Sequence, residues 1–215
     1  MNIHFCYAAL LAGLLSNYAS AQDDRMGDPL STDTPSAEIR KSKTFCATQK
    51  DAACEHINAT DEVGLLGDLR YRLFIDSASV ATEPGIDIND YKQPRWSVGC
   101  NRDKMTGTKT CSVSRGALWV FFRSAGPSIV SVGDEHFPGS VSSIKVGAKR
   151  FDTRHQDGIF SNSQQIIRAL SDGQPVVTRF MKWPYREWED DEFNATGFQA
   201  ASRLANWLLK NGKIK

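Results

Sequence analysis

A mostly β fold, a sandwich or curved antiparallel sheet, with one short internal α-helix and a C-terminal α-helix is what this sequence predicts. Three observations carry that expectation. Short apolar runs separated by turn formers dominate residues 95–155. Within them, Ala117 to Phe122 is a continuous apolar run of strand length. At the end of the chain Phe198, Ala201, Ala205 and Leu208 repeat at helical spacing.

The 215 residues carry 26 Lys+Arg against 25 Asp+Glu, a formal net charge of +1. A nucleic-acid binder needs a basic excess to neutralise phosphates, so that class is disfavoured. With 40% hydrophobic and 24% charged residues the composition suits one globular domain with a short appendage and excludes a multi-span membrane protein.

From the N-terminus, Met1 to Ala21 reads as a secretory signal. The apolar run Phe5 to Leu15 is too short to span a bilayer, and Ala19-Ser20-Ala21 offers small residues for cleavage after Ala21. The expected mature chain has no transmembrane segment and is periplasmic or secreted. Residues 22–43 are polar, with Pro29 and Pro35 and no apolar period, as in a tail or linker. Residues 44–94 are read as an N-terminal extension clipped by a disulfide, and residues 95–215 as the β-rich domain.

With Cys6 removed, Cys46, Cys54, Cys100 and Cys111 remain, an even set for an oxidising compartment. Four cysteines allow three pairings. Cys46–Cys54 with Cys100–Cys111 has the lowest closure cost and is the expected one. The spacings C-x7-C and C-x10-C lack the short C-x-x-C step of a zinc site.

In chain order, Leu69, Tyr71, Leu73 and Ile75 alternate as in a strand. Residues 77–94 read as a loop around Pro84-Gly85. Trp96 to Cys100 and Thr110 to Val113 form a strand pair across the turn formers Asn101, Asp103 and Gly107. The run Ala117–Phe122 is expected in a sheet covered on both sides. Pro127–Val132, Val141–Val146 and Lys149–Asp152 continue as short strands. Ser163 to Leu170 is the internal helix, capped by Ser161 or Ser163 and stopped before Asp172-Gly173. Val176 to Phe180 is a strand opened by Pro175. Thr196 is positioned to cap the last helix, which ends near Asn211-Gly212.

Candidate chemistry is sparse. His56, His136 and His155 follow the signal, and Asp134-Glu135-His136 and His155-Gln156-Asp157 set a carboxylate two residues from an imidazole. A small periplasmic hydrolase using His136 or His155 is therefore the catalytic alternative; exposed polar loops are the plainer reading. No H-E-x-x-H, G-x-S-x-G, G-x-G-x-x-G or Walker A spacing occurs, and no metal or cofactor is expected. Asn58-Ala59-Thr60 and Asn194-Ala195-Thr196 match the glycosylation triplet, a short pattern that arises by chance. The run Glu189-Asp190-Asp191-Glu192 reads as a solvated acidic turn, since it lacks the alternating ligands and glycine of a calcium loop.

Residues 180–188 are the conspicuous cluster: Phe180, Met181, Trp183, Tyr185 and Trp188 with Lys182, Arg186 and Glu187 between them. One reading makes it a recognition patch with Trp183, Tyr185, Arg186 and Trp188 as contact residues, since Trp, Tyr and Arg supply most interface hot spots. The other makes it a lid whose rings cap the core.

Several of these segments together, Trp96-x-Val98-x-Cys100, Cys111, Val146-Gly147, Ile166 to Gly173, Val176 to Arg179 and Gly197-Phe198-x-Ala200-Ala201, resemble the invasion-associated locus B family, exported proteins of alphaproteobacteria. The resemblance spans about residues 95–210. It implies a signal peptide, a β-rich fold and a link to surface integrity or host-cell invasion without a known enzyme activity. Gln22 to Pro94, with its own cysteine pair, is an addition to that pattern. The function expected is binding of an envelope or host protein; an envelope inhibitor or immunity-type protein shares that mechanism.

Overall fold

The computed structural model describes residues 44–57, 61–74, 78–82, 95–153, 158–212 and 214. The signal and tail, Asn58, Ile75, the Pro84-Gly85 turn, His155 and Asp157 lie outside the described residues. Those that are described belong to one compact unit, Pro35–Lys215.

The fold is mostly β, and the described residues form three helices, the last near the C-terminus. A one-turn helix α1 (Phe45–Thr48) leads into β1 (Ala52–Ile57), β2 (Asp61–Leu66), β3 (Leu69–Phe74) and β4 (Ala78–Thr82). There follow β5 (Trp96–Arg102), β6 (Lys109–Arg115), β7 (Leu118–Arg123) and β8 (Ile129–Val132). These eight strands form one antiparallel meander in sequence order, the arrangement short connections favour. The segment read as an extension is thus continuous with the sheet, since β4 pairs with β5. The second sheet has the order β10-β9-β11-β12, from β9 (Ser143–Val146), β10 (Lys149–Asp152), β11 (Pro175–Lys182) and β12 (Glu187–Asn194). Helix α2 (Ser163–Leu170) touches β8 and β9, and α3 (Phe198–Asn211) lies across β4–β7.

Alternation along the strands builds the core. Tyr71 and Leu73 of β3, Trp96 and Val98 of β5, Cys111 and Val113 of β6, and Leu118, Val120 and Phe122 of β7 point inward. Against them α3 buries Phe198, Ala201, Leu204, Ala205, Trp207 and Leu208. The small sheet adds Ile144, Val146, Val176 and Phe180. Both disulfides take the local pairing. Cys100 and Cys111 are directly opposite across β5 and β6, with Cα atoms 4.1 Å apart, and Cys46–Cys54 ties α1 to β1 with Cα atoms 5.8 Å apart.

Four local expectations are corrected. β7 is covered on one side only: Leu118, Val120 and Phe122 are buried, but Trp119 and Phe121 stack on each other on the outer face. Ring-on-ring contact there reduces the exposed area, so a continuous apolar run does not require a second cover. Residues 77–94 contain a strand, β4. None of the predicted caps, Ser161, Ser163 and Thr196, acts through its side chain; the caps are Asn162 and Gly197. α3 begins at Gly197, whose φ of 88° suits glycine, and the Thr196 carbonyl accepts a 2.7 Å hydrogen bond from the Trp96 indole. Ser163, at the start of α2, donates to the Phe160 carbonyl and accepts from the Val130 amide, sewing the helix to β8. Finally, the acidic run is part of strand β12. Acidic residues are poor strand formers, but here cross-strand cations answer them: Arg179 opposite Asp190, and Lys182 to Glu189 at 3.5 Å.

Candidate functional site

The aromatic cluster divides between core and surface. Phe180 is buried against Gly133 and the His136 ring, while Trp183, Tyr185 and Trp188 are 50%, 75% and 52% exposed. The reason is geometric: Phe180 is the last inward position of β11, and Trp183 to Arg186 form the loop that turns the hairpin. Trp188, on β12, pairs with Met181 on the outward face of the small sheet.

Loop residues 135–137 hold this tip in place. The Phe137 amide bonds to the Met181 carbonyl at 2.8 Å, and the Trp183 amide to the Glu135 carbonyl at 2.7 Å. Phe137 then supports the exposed side chains. Its ring lies 5.6 Å from that of Trp183, and the Arg186 guanidinium sits over the same ring, 5.6 Å from its centroid. Arg186 itself has φ 53°, a left-handed turn position. The Arg179 guanidinium reaches 5.9 Å from the Trp188 ring while donating to both Asp190 oxygens. That pairing holds the Asp190 carboxyl below the usual carboxylate range. The tip therefore displays indole, phenol and guanidinium groups on fixed backbone, chemistry suited to recognition by stacking and cation–π contact.

The histidines are differently placed. His136 is half-buried, and its Nε2 lies 2.7 Å from the Val132 carbonyl oxygen. Asp134 is exposed in the adjoining turn. His56 is exposed on β1. The one group of potential metal ligands among the described residues is Cys46, Cys54 and Glu62. It does not fit an ion: both sulfurs are in a disulfide, and the Glu62 carboxylate already accepts the Phe45 and Cys46 amides at 2.9 and 2.8 Å and the Tyr71 hydroxyl.

Two surface features have no local signal in the sequence. The Trp119–Phe121 pair, with ring centroids 6.2 Å apart, is flanked on the outer face by Ser112, Ser114 and Ser131. A strand-length apolar run reads as buried, which hid it. The second is a cleft of about 340 Å³ between the β2–β3 turn and the start of α3, lined in part by Asp51, Asp172, Gln199 and Arg203. Arg203 there is already engaged by Asp51 and Gln49. Its two sides, drawn from residues 51–69 and 171–203, lie more than 100 residues apart in sequence, so no local motif announces it.

Among the described residues no helix is long and apolar enough to cross a membrane. Comparison with protein-family models, curated proteins and solved structures finds no match for the chain. The class that fold and site define is a disulfide-bonded β-rich protein with an exposed aromatic hairpin.

Proposed function

We propose that this chain is an exported bacterial envelope protein, periplasmic or secreted after cleavage near Ala21, that acts by binding another envelope or host protein. Trp183, Tyr185, Arg186 and Trp188 are its contact residues. The observation that carries the reading is that three large aromatic side chains are half or more exposed on one hairpin tip, where interface anchors of this type gain most from being covered. Two disulfides support an oxidising compartment. The resemblance to the invasion-associated locus B family supports a role at the cell surface. On the catalytic side, His136 turns a ring nitrogen to a backbone carbonyl, which favours a structural imidazole over a general base.

The test is affinity capture from envelope extract with the mature chain beside Trp183→Ala/Trp188→Ala. A protein retained by the wild type and lost by the variant is expected. Identical retention by both, with the variant folded, overturns the assignment of these contacts.

A further inference from the structure

The hairpin that carries the aromatic tip also ends the small sheet. Among the described residues β12 pairs with β11 alone, so its other edge is free along all eight residues, about 26 Å. An exposed edge of this length is a template for another strand, and proteins normally blunt such edges with proline, a bulge or lysine. β12 has no proline, and its register against β11 is unbroken from Lys182–Glu187 to Pro175–Asn194. What it has is acid: Glu187, Glu189, Asp190, Asp191 and Glu192.

The register also says which backbone groups are free. The Ala195 amide bonds to the Gln174 carbonyl, one step beyond the Pro175–Asn194 pair. Since bonded and non-bonded pairs alternate in an antiparallel ladder, residues 187, 189, 191 and 193 bond to β11. Trp188, Asp190 and Glu192 therefore turn their N–H and C=O groups to the open edge. Of the acids, Glu189 and Asp190 answer Lys182 and Arg179, and Asp191 accepts from the Ala117 amide. Glu187 and Glu192 are both exposed, five residues apart and so on opposite faces of the strand, and have no cation within ion-pair distance among the described residues.

From this free edge and its charge we infer that β12 accepts, by strand addition, an extended basic segment of the partner protein, whose alternating lysine or arginine side chains lie on the outer face beside Asp190 and Glu192. The inference deepens the proposed function and rests on it: the added strand would run beside Trp188, and the aromatic tip would meet the rest of the partner. Backbone hydrogen bonds supply the docking and the carboxylates the selection. Like charge sets the same edge against a second copy of β12, so the acids select against self-pairing as well as for a cation-rich strand.

The test uses the mature chain and two synthetic probes, an eight-residue peptide alternating lysine with valine and its glutamate–valine counterpart. Binding is followed by fluorescence anisotropy and residue-resolved amide hydrogen exchange. The lysine peptide is expected to bind, to slow exchange at Trp188, Asp190 and Glu192, and to leave the already bonded amides of 187, 189 and 191 unchanged. Glu192→Lys should weaken it severalfold, and more than Glu187→Lys on the other face; Glu192→Gln serves if the reversal does not fold, with a smaller loss in the same direction. No binding, equal binding of the glutamate peptide, or binding without protection of the edge amides overturns the inference. If the last occurs while Trp183→Ala/Trp188→Ala still loses its partner, the aromatic patch stands and strand addition falls. If edge amides are protected but the tip variant captures normally, the edge stands and the patch assignment falls.

Discussion

Tyr71 donates the hydrogen bond of its phenol to the carboxylate of Glu62, and both residues are buried between the large sheet and α1. The two side chains come from adjacent strands, and the same carboxylate accepts the first two amides of α1. Phe45 of that helix then packs edge-on against Tyr71 and Trp207. One acid thus joins α1, β2 and β3 beneath α3. Glu62→Ala leaves three buried donors without an acceptor, each worth about 1–3 kcal/mol. Urea denaturation should show a loss of about 3 kcal/mol or more, and Tyr71→Phe a smaller loss of about 1–2 kcal/mol.

The same relationship sets an alkaline limit. Burial, then the Glu62 carboxylate, pushes the Tyr71 phenol well above its usual value of 10.0. In the unfolded chain the phenol ionises near that usual value, while in the fold it stays protonated. The stabilisation is therefore complete below about pH 10 and falls above it by about 1.4 kcal/mol per pH unit. Stability measured from pH 8 to 11 should show this slope in the wild type and a shallower one in Tyr71→Phe.

At the acid end the Arg203 guanidinium lowers the Asp51 carboxyl to about 2. This depressed group stabilises the fold above the usual carboxylate range and stops doing so as pH falls toward 2. Asp51→Asn should flatten the acid limb of a pH–Tm profile slightly, because the pair is exposed and screened.

Gly64 faces Tyr71 across β2 and β3, and a Cβ there would meet the Tyr71 hydroxyl at 2.8 Å as well as the Ala53 carbonyl. Gly64→Ala should cost about 1–3 kcal/mol by overpacking, read as a lower midpoint in urea.

Cys100–Cys111 closes a loop across a sequence separation of 11. Cys100→Ser/Cys111→Ser should lose about 3 kcal/mol in the chain-entropy account.

The sequence shows its regular elements where one local signal decides them. Ser163–Leu170 and the alternating Val176–Phe180 were legible because polar stops flank a clear apolar period. β12 was not, because EWEDDEFN has no strand preference until Arg179 and Lys182 lie beside it. Trp119 was misplaced for the converse reason: its apolar neighbours argue burial, and only the stacking partner Phe121 shows how an outward indole is accommodated. The patch residues were legible by composition, but their separation from buried Phe180 depends on where β11 stops. Glu62 gave no signal at all, since its donors come from 9 to 17 residues away.

The claim on which the functional reading depends is that the hairpin tip is surface and not lid. The thermal midpoint of Trp183→Ala/Trp188→Ala beside the wild type tests it most directly. A surface tip gives a shift within about 2–4 °C, as for surface substitutions in a chain of this size. A fall of about 10 °C or more, the cost of removing a core tryptophan, would contradict it.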